Sequence, residues 1–128
     1  AWSLRNDPRV VCMERTNFRH VTHEQIPEEL DLAVCDVSFI SLKLILPAVA
    51  GLLKEHGQML TLIKPQFEVG REHVGKNGIV KNIKKRDESV CRVIDFAKNC
   101  GFELLGKIES PIKGGDGNTE FLAVLRLK

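Results

Sequence analysis

The sequence predicts an α/β domain whose mostly parallel sheet ends in an antiparallel strand pair. Short, continuous apolar runs at Val10–Met13, Leu30–Val37 and Met59–Ile63 read as strands buried on both faces. Stretches with apolar residues at helical spacing alternate with the later strands, as a sheet with crossover helices requires. The last two strands, Phe102–Ile108 and Thr119–Leu127, are joined only by Ser110–Asn118. A parallel crossover needs about a dozen residues or more, so this last pair should be antiparallel.

Each element has its own reason. Val10-Val11-Cys12-Met13 stops at Glu14, and Leu30–Val37 follows Pro27-Glu28-Glu29 and carries Asp36 near its end. Residues 42, 45, 46, 49, 52 and 53 fall on one helical stripe, with Ser41 placed to cap it and Gly57 to stop it. Met59–Ile63 ends at Lys64-Pro65, and residues 66–82 read as a polar, glycine-punctuated loop. Asp87 can cap a second helix whose face carries Val90, Val93, Ile94 and Ala97, with Gly101 as its stop. Ala1–Arg5 is already amphipathic, and no glycine-rich turn precedes Val10. Residues 1–128 therefore read as one domain lacking its first strand and glycine-rich loop, the C-terminal part of something larger.

Composition narrows the function. The chain has 128 residues, 43% hydrophobic and 28% charged, enough for one core without staples. Nineteen basic against 17 acidic residues give a formal charge of +2, too mild to mark a nucleic-acid binder by itself. Any basic patch must be local, and Lys76, Lys81, Lys84, Lys85 and Arg86 form one with no acid among them. Six Phe, one Trp and no Tyr argue against a surface of stacking platforms. The longest apolar stretch, Leu44–Leu53, contains Pro47 and Gly51 and is far short of the roughly 20 residues that span a bilayer. Cys12, Cys35, Cys91 and Cys100 form no C-x-x-C pair and read as buried, reduced thiols of a cytosolic protein.

In open α/β sheets the active crevice lies beyond the carboxyl ends of the parallel strands. Glu14, Asp36 and Lys64 are each delivered to that edge by a predicted strand. Singly, such residues are turn formers or solvated cations; together on one edge they become a candidate site. Gly70 to Lys76 imitates a phosphate-binding G-x-x-x-x-G-K loop, but Asn77 stands where Ser or Thr would bind magnesium and no strand leads directly into it. It reads as a flexible substrate loop. His20-x-x-His23 lacks partners at ligand spacing and reads as two exposed histidines.

Three stretches resemble one family closely: Cys35-Asp-Val-Ser-Phe-Ile-Ser-Leu42, Ile63-Lys-Pro-Gln-Phe-Glu-Val-Gly-Arg71 and Ser110-Pro-Ile-Lys-Gly-Gly-Asp-Gly-Asn-Thr-Glu-Phe121. They are similar to the TlyA family of FtsJ-like ribosomal RNA 2′-O-methyltransferases, often called hemolysins. Trp2–Val11 and Glu14-Arg-Thr-Asn17 share the likeness, which thus covers nearly the whole chain. The resemblance implies a Rossmann-like methyltransferase fold, S-adenosylmethionine as cofactor, ribosomal RNA or a ribosomal subunit as partner, and a cytoplasmic location. It implies a Lys-Asp-Lys-Glu catalytic set, in which Asp36, Lys64 and Glu120 match the last three members. The family's first lysine, its glycine-rich loop and its S4-like RNA-binding domain have no counterpart in these residues.

That set suits the chemistry. A ribose 2′-hydroxyl is a poor nucleophile and must lose its proton as it attacks a sulfonium methyl; a lysine amine can take it if desolvation or a neighbouring cation lowers its pKa, and the family's two lysines would supply that cation for each other. Lys64 is then the candidate general base, Asp36 its orienting partner beside the methyl group and the cofactor, and Glu120 the residue holding the lysine pair. Glu14, at a strand end, suits the cofactor's ribose hydroxyls. A non-catalytic RNA-binding or assembly module is the rival reading, and a homodimer is open. A membrane-active hemolysin fits least, because the helices look built for a core.

Overall fold

The computed structural model describes residues 2–128; Ala1, the first residue of the amphipathic N-terminal stretch, lies outside them. A four-residue helix α1 (Trp2–Arg5) opens the chain, and the sheet strands are β1 (Leu30–Cys35), β2 (Leu53–Ile63), β3 (Phe102–Glu109) and β4 (Phe121–Leu127). Helix α2 (Leu46–Leu52) links β1 to β2, and α3 (Ile83–Asn99) links β2 to β3. The sheet order is β1-β2-β4-β3. β1 and β2 are parallel, while β4 runs antiparallel to both β2 and β3. Three of the four strands therefore share one direction, and the final pair is antiparallel as expected.

The core lies on one face of this sheet. Met59 and Ile63 of β2 and Phe121, Ala123 and Leu125 of β4 alternate inward against Leu46 and Val49 of α2 and Val90, Val93, Ile94 and Ala97 of α3. The expectation of strands covered on both faces fails among the described residues. Leu32, Val34, Leu60 and Ile108 stand exposed on the opposite face. Topology explains it. β1, β2 and β3 advance across the sheet in one direction, and right-handed crossovers made in one direction place both helices on the same side.

Several boundaries differ from expectation for local reasons. Val10–Met13 forms no strand: with no neighbour to complete a ladder the segment is exposed, Val11 at 83%. The helical stripe is real, all six of its residues being buried, but Leu53 already belongs to β2. Ser41 caps the turn Leu42–Leu44 by accepting from the Lys43 N–H. Gly57 is not the helix stop. It is buried within β2, where a Cβ would lie 2.9 Å from the Lys54 carbonyl oxygen and 3.2 Å from that of Leu30. Asn82, not Asp87, caps α3, its side chain accepting from Lys85 N, so the helix begins a turn earlier than its apolar face suggested. Gly101 does end α3, at φ +99°, a conformation that favours glycine. The thiols are not uniformly buried either: Cys12 and Cys91 are exposed, Cys12 because its strand does not form and Cys91 because it lies off the buried stripe of α3.

Candidate functional site

Strand register alone brings three of the predicted residues together. β1 pairs with β2 as far as Cys35↔Thr61, and β4 starts against the end of β2 at Ile63↔Phe121. The next residues beyond those pairs are Asp36, Lys64 and, running the other way, Glu120. All three line one cavity of about 480 Å³ at this edge, floored by Leu62 and Leu122 and roofed by the loop Ser110–Gly115.

Lys64 is the fixed point. Its side chain is only 13% exposed, and its Nζ lies 2.6 Å from Asp36 Oδ1 and donates to Ser38 Oγ at 3.1 Å. Two of the amine's three directions are thus spoken for. Asp36 is far more open, 63% exposed, and faces the cavity. Glu120 is buried at 7%, and its Oε2 accepts from Gln66 Nε2 at 3.0 Å. Gly114 makes room for it, since a Cβ there would sit 2.4 Å from Glu120 Oε2. The structure thus gives Glu120 an amide partner, while Asp36 is the carboxylate on Lys64. Cys35, next to Asp36, stays a neutral thiol: burial pushes it up, the hydrogen bond to Thr61 opposes this, and Asp36 pushes it up while Lys64 pulls it down.

Glu14 does not join them. It follows the segment that forms no strand, pairs with Arg5 at 3.6 Å, and is absent from the cavity wall. Its placement at a strand end is therefore corrected. Residues 70–78 contain two short 3-10 turns and no strand-to-helix junction, so the phosphate-loop imitation has no structural basis. His23 is half-buried, not exposed, with Nδ1 2.8 Å from the Ile26 carbonyl oxygen.

The sequence reading missed the aromatic part of the site. Phe39 is 90% exposed in a left-handed conformation (φ +64°), with its ring 5.1 Å from that of Phe67. Both rings line a second cavity of about 250 Å³ that shares Lys64 and Glu120 with the first. A bulky residue at positive φ is a rare conformation that clusters at functional sites. Aromatics are scarce in the chain, yet two of the six phenylalanines meet here. Asn118 was missed too. It is buried at 3%, accepts from Val80 N and donates to the Gly78 carbonyl, tying the 75–80 loop to the turn before Glu120.

A Rossmann-like sheet with Asp36, Lys64 and Glu120 around one open cavity at a strand-end edge has the α/β architecture in which ligands bind beyond the carboxyl ends of the strands. The sequence profile of the FtsJ-like methyltransferases matches residues 1–127, and the chain belongs to that family. It is 47% identical over 126 residues to the 16S/23S rRNA (cytidine-2'-O)-methyltransferase TlyA of Mycobacterium tuberculosis, covering 98% of this chain and 47% of that protein. Hemolysin A of Brachyspira hyodysenteriae is 40% identical over 123 residues, covering 95% of this chain and 51% of that protein. A solved hemolysin-named structure from Lactococcus lactis superposes with a TM-score of 0.95 at 45% identity, over all of this chain and 62% of that one. At 17% identity, an S-adenosylmethionine-dependent methyltransferase structure from Listeria monocytogenes still shares the fold, with a TM-score of 0.63 over 96% of this chain and 71% of that one. The chain spans about half the length of the curated relatives it matches.

Proposed function

We propose that this chain forms the catalytic edge of a ribosomal RNA ribose 2′-O-methyltransferase that uses S-adenosylmethionine. The observation that carries the reading is Lys64, held between Asp36 and Ser38 beside a buried Glu120 in a cavity open to solvent. When bound, S-adenosylmethionine supplies the electrophilic methyl group. The residues present fit it: the exposed Asp36 carboxylate suits a sulfonium, and Leu62 and Leu122 offer an apolar floor.

Lys64 then does the work on the substrate. With two directions of its Nζ held by Asp36 and Ser38, the third is free to meet a ribose 2′-hydroxyl and to take its proton as the oxygen attacks the methyl carbon. Asp36 orients the amine, and Glu120, braced by Gln66, shapes the opposite wall. Exposed Phe39 offers a face for stacking an unpaired base, the usual way single-stranded RNA is held. The basic run Lys76–Arg86 suits backbone phosphates. No helix of the described residues is long and apolar enough to cross a membrane. The cytoplasm, where ribosomal RNA resides, is the compartment this reading implies.

The test uses a polypeptide of the relatives' full length, ribosomal RNA and tritiated S-adenosylmethionine. Lys64→Ala should lower methyl transfer by about 10²–10⁴-fold, as loss of a positioned general base does. Cofactor affinity should stay within about threefold, since the lysine acts on the substrate hydroxyl. Near-normal turnover of Lys64→Ala at saturating cofactor and RNA would sink the mechanism.

A further inference from the structure

Two loops meet at the site, residues 36–41 after β1 and residues 64–68 after β2. They are laced at successive points along their length. At the cavity end Lys64 Nζ takes Asp36 at 2.6 Å and Ser38 at 3.1 Å. In the middle the Phe39 and Phe67 rings pack 5.1 Å apart. At the far end the Glu68 carboxylate closes the row: Ser41 Oγ donates to Oε1 at 2.6 Å and Leu42 N donates to Oε2 at 2.8 Å. One 3-10 turn, Pro65–Phe67, separates Lys64 from Glu68, so the two side chains flank one short hydrogen-bonded turn.

Ser41 alone already caps the helical turn that follows it, by accepting from Lys43 N. Glu68 is therefore not needed to begin that turn. It is half-buried and lines neither of the cavities that Lys64 shares with Glu120. Placing a carboxyl there carries a desolvation cost with no contact to any substrate space. What it does achieve is registration. Without it the polar ties between the 36–41 loop and the lysine segment, among the described residues, are those of Lys64 itself, beside the ring contact of a largely exposed Phe39 and the packing of Val37 and Ile40 on the core.

We propose that Glu68 is a positioning residue: its two hydrogen bonds to Ser41 and Leu42 set the register of the Asp36–Ser41 loop against the Lys64 turn and so hold Lys64 between Asp36 and Ser38. The kinetic consequence rests on the proposed methyltransferase function; the clamp itself does not. Glu68→Gln preserves it, because the amide oxygen can accept from Leu42 N and the amide nitrogen can donate to Ser41 Oγ. Glu68→Ala removes both bonds.

Two measurements test this. The first needs no activity: amine labelling of the 128-residue chain under native conditions, read by mass spectrometry, with exposed Lys81 as internal reference. Lys64 should label slowly in the wild type and in Glu68→Gln, and about tenfold faster in Glu68→Ala, as local opening frees it. The second is methyl transfer in the full-length form. Glu68→Ala should lose about 10²-fold in kcat with KM for RNA little changed, the cost of a misplaced reacting group. Glu68→Gln should recover most of it. The double variant Glu68→Ala/Lys64→Ala should be no slower than Lys64→Ala alone, because a residue acting through Lys64 has nothing further to lose. Ser41→Ala, which removes one of the two bonds together with the cap on Lys43 N, should fall between in Lys64 labelling and serves if Glu68→Ala does not fold. Equal Lys64 labelling in wild type and Glu68→Ala overturns the clamp. Unchanged kcat, or a double variant slowed by the full product of the two single effects, overturns its positioning role. A wild type that folds and protects Lys64 but methylates no RNA overturns the proposed function instead and leaves the clamp standing.

Discussion

Gly114→Ala isolates the packing around Glu120, because its neighbour Gly115 supplies a matched control. A Cβ at Gly114 would fall 2.4 Å from Glu120 Oε2 and 3.0 Å from its carboxyl carbon, whereas one at Gly115 meets nothing within 4 Å. Neither glycine has a positive φ, so alanine brings no backbone strain at either position. The clash itself is relieved by rotating a flexible side chain. The cost lies in where that side chain must go: Glu120 is 7% exposed, and moving its carboxyl by about an ångström breaks the 3.0 Å bond from Gln66 Nε2. Gln66 Oε1 is already buried without a partner, so the displaced state would leave both ends of that amide unsatisfied. An orphaned buried group costs about 1–3 kcal/mol. Gly114→Ala should therefore lower stability by about 2 kcal/mol, on the order of 8 °C in Tm for a domain of this size. Gly115→Ala should stay within about 0.5 kcal/mol of the wild type. Urea denaturation of the three proteins, with calorimetry for Tm, measures both. Equal stabilities for the two variants would show that Gly114 is not shaped around Glu120, and the account of that wall would fall.

Further outcomes follow from other contacts. Asn118→Ala should cost about 2–5 kcal/mol in urea denaturation, because Val80 N and the Gly78 carbonyl both lose their partner. Glu68 has its carboxyl raised above the ordinary range, chiefly by burial, against the hydrogen bonds from Ser41 and Leu42 and the charges of Lys43 and Arg92. The folded state then holds that proton more tightly than the unfolded one, so the group's contribution to stability is full below the ordinary glutamate value of about 4.3 and is lost as pH rises through the raised one. Glu68→Gln should remove that part of the pH dependence, and wild-type and variant curves of equal slope in this window would contradict it. Iodoacetamide should modify exposed Cys12 and Cys91 well before Cys35, which is half-buried with its thiol pushed up by burial, and mass spectrometry of partly labelled protein shows the order. Residues 1–128 alone should bind S-adenosylmethionine weaker than about 10 μM, since no glycine-rich turn donates backbone N–H groups to it here; tighter calorimetric binding would refute this.

Much of the edge was legible because strand patterning and strand direction are local properties. Continuous apolar runs at Leu30 and Met59 marked parallel strands, and the short Ser110–Asn118 connection forced the antiparallel return that carries Glu120 back to Lys64. Val10–Met13 has the same local pattern and forms no strand, since a ladder needs a partner that apolarity alone does not provide. Gly57 was read as a helix stop because glycine commonly is one, but its reason is the close approach of the Leu30 and Lys54 carbonyls. The bare sheet face was hidden by the same rule: runs apolar on both sides predict two covers, while the one-directional strand order supplies one. Phe39 and Glu68 act through contacts between loops some 26 to 28 positions apart, which no periodicity reveals.

β4 is the last described strand in chain order yet sits inside the sheet, hydrogen-bonded to β2 on one side and β3 on the other. β3 has no other strand to pair with among the described residues. During synthesis β1, β2, α3 and β3 therefore emerge before the element that joins them. Without Phe121–Leu127, these residues would hold the β1–β2 pair and the α3–β3 unit with no strand to join them. Closure of this part of the sheet must wait until Phe121–Leu127 has left the exit tunnel, because β2 and β3 meet only through that strand among the described residues.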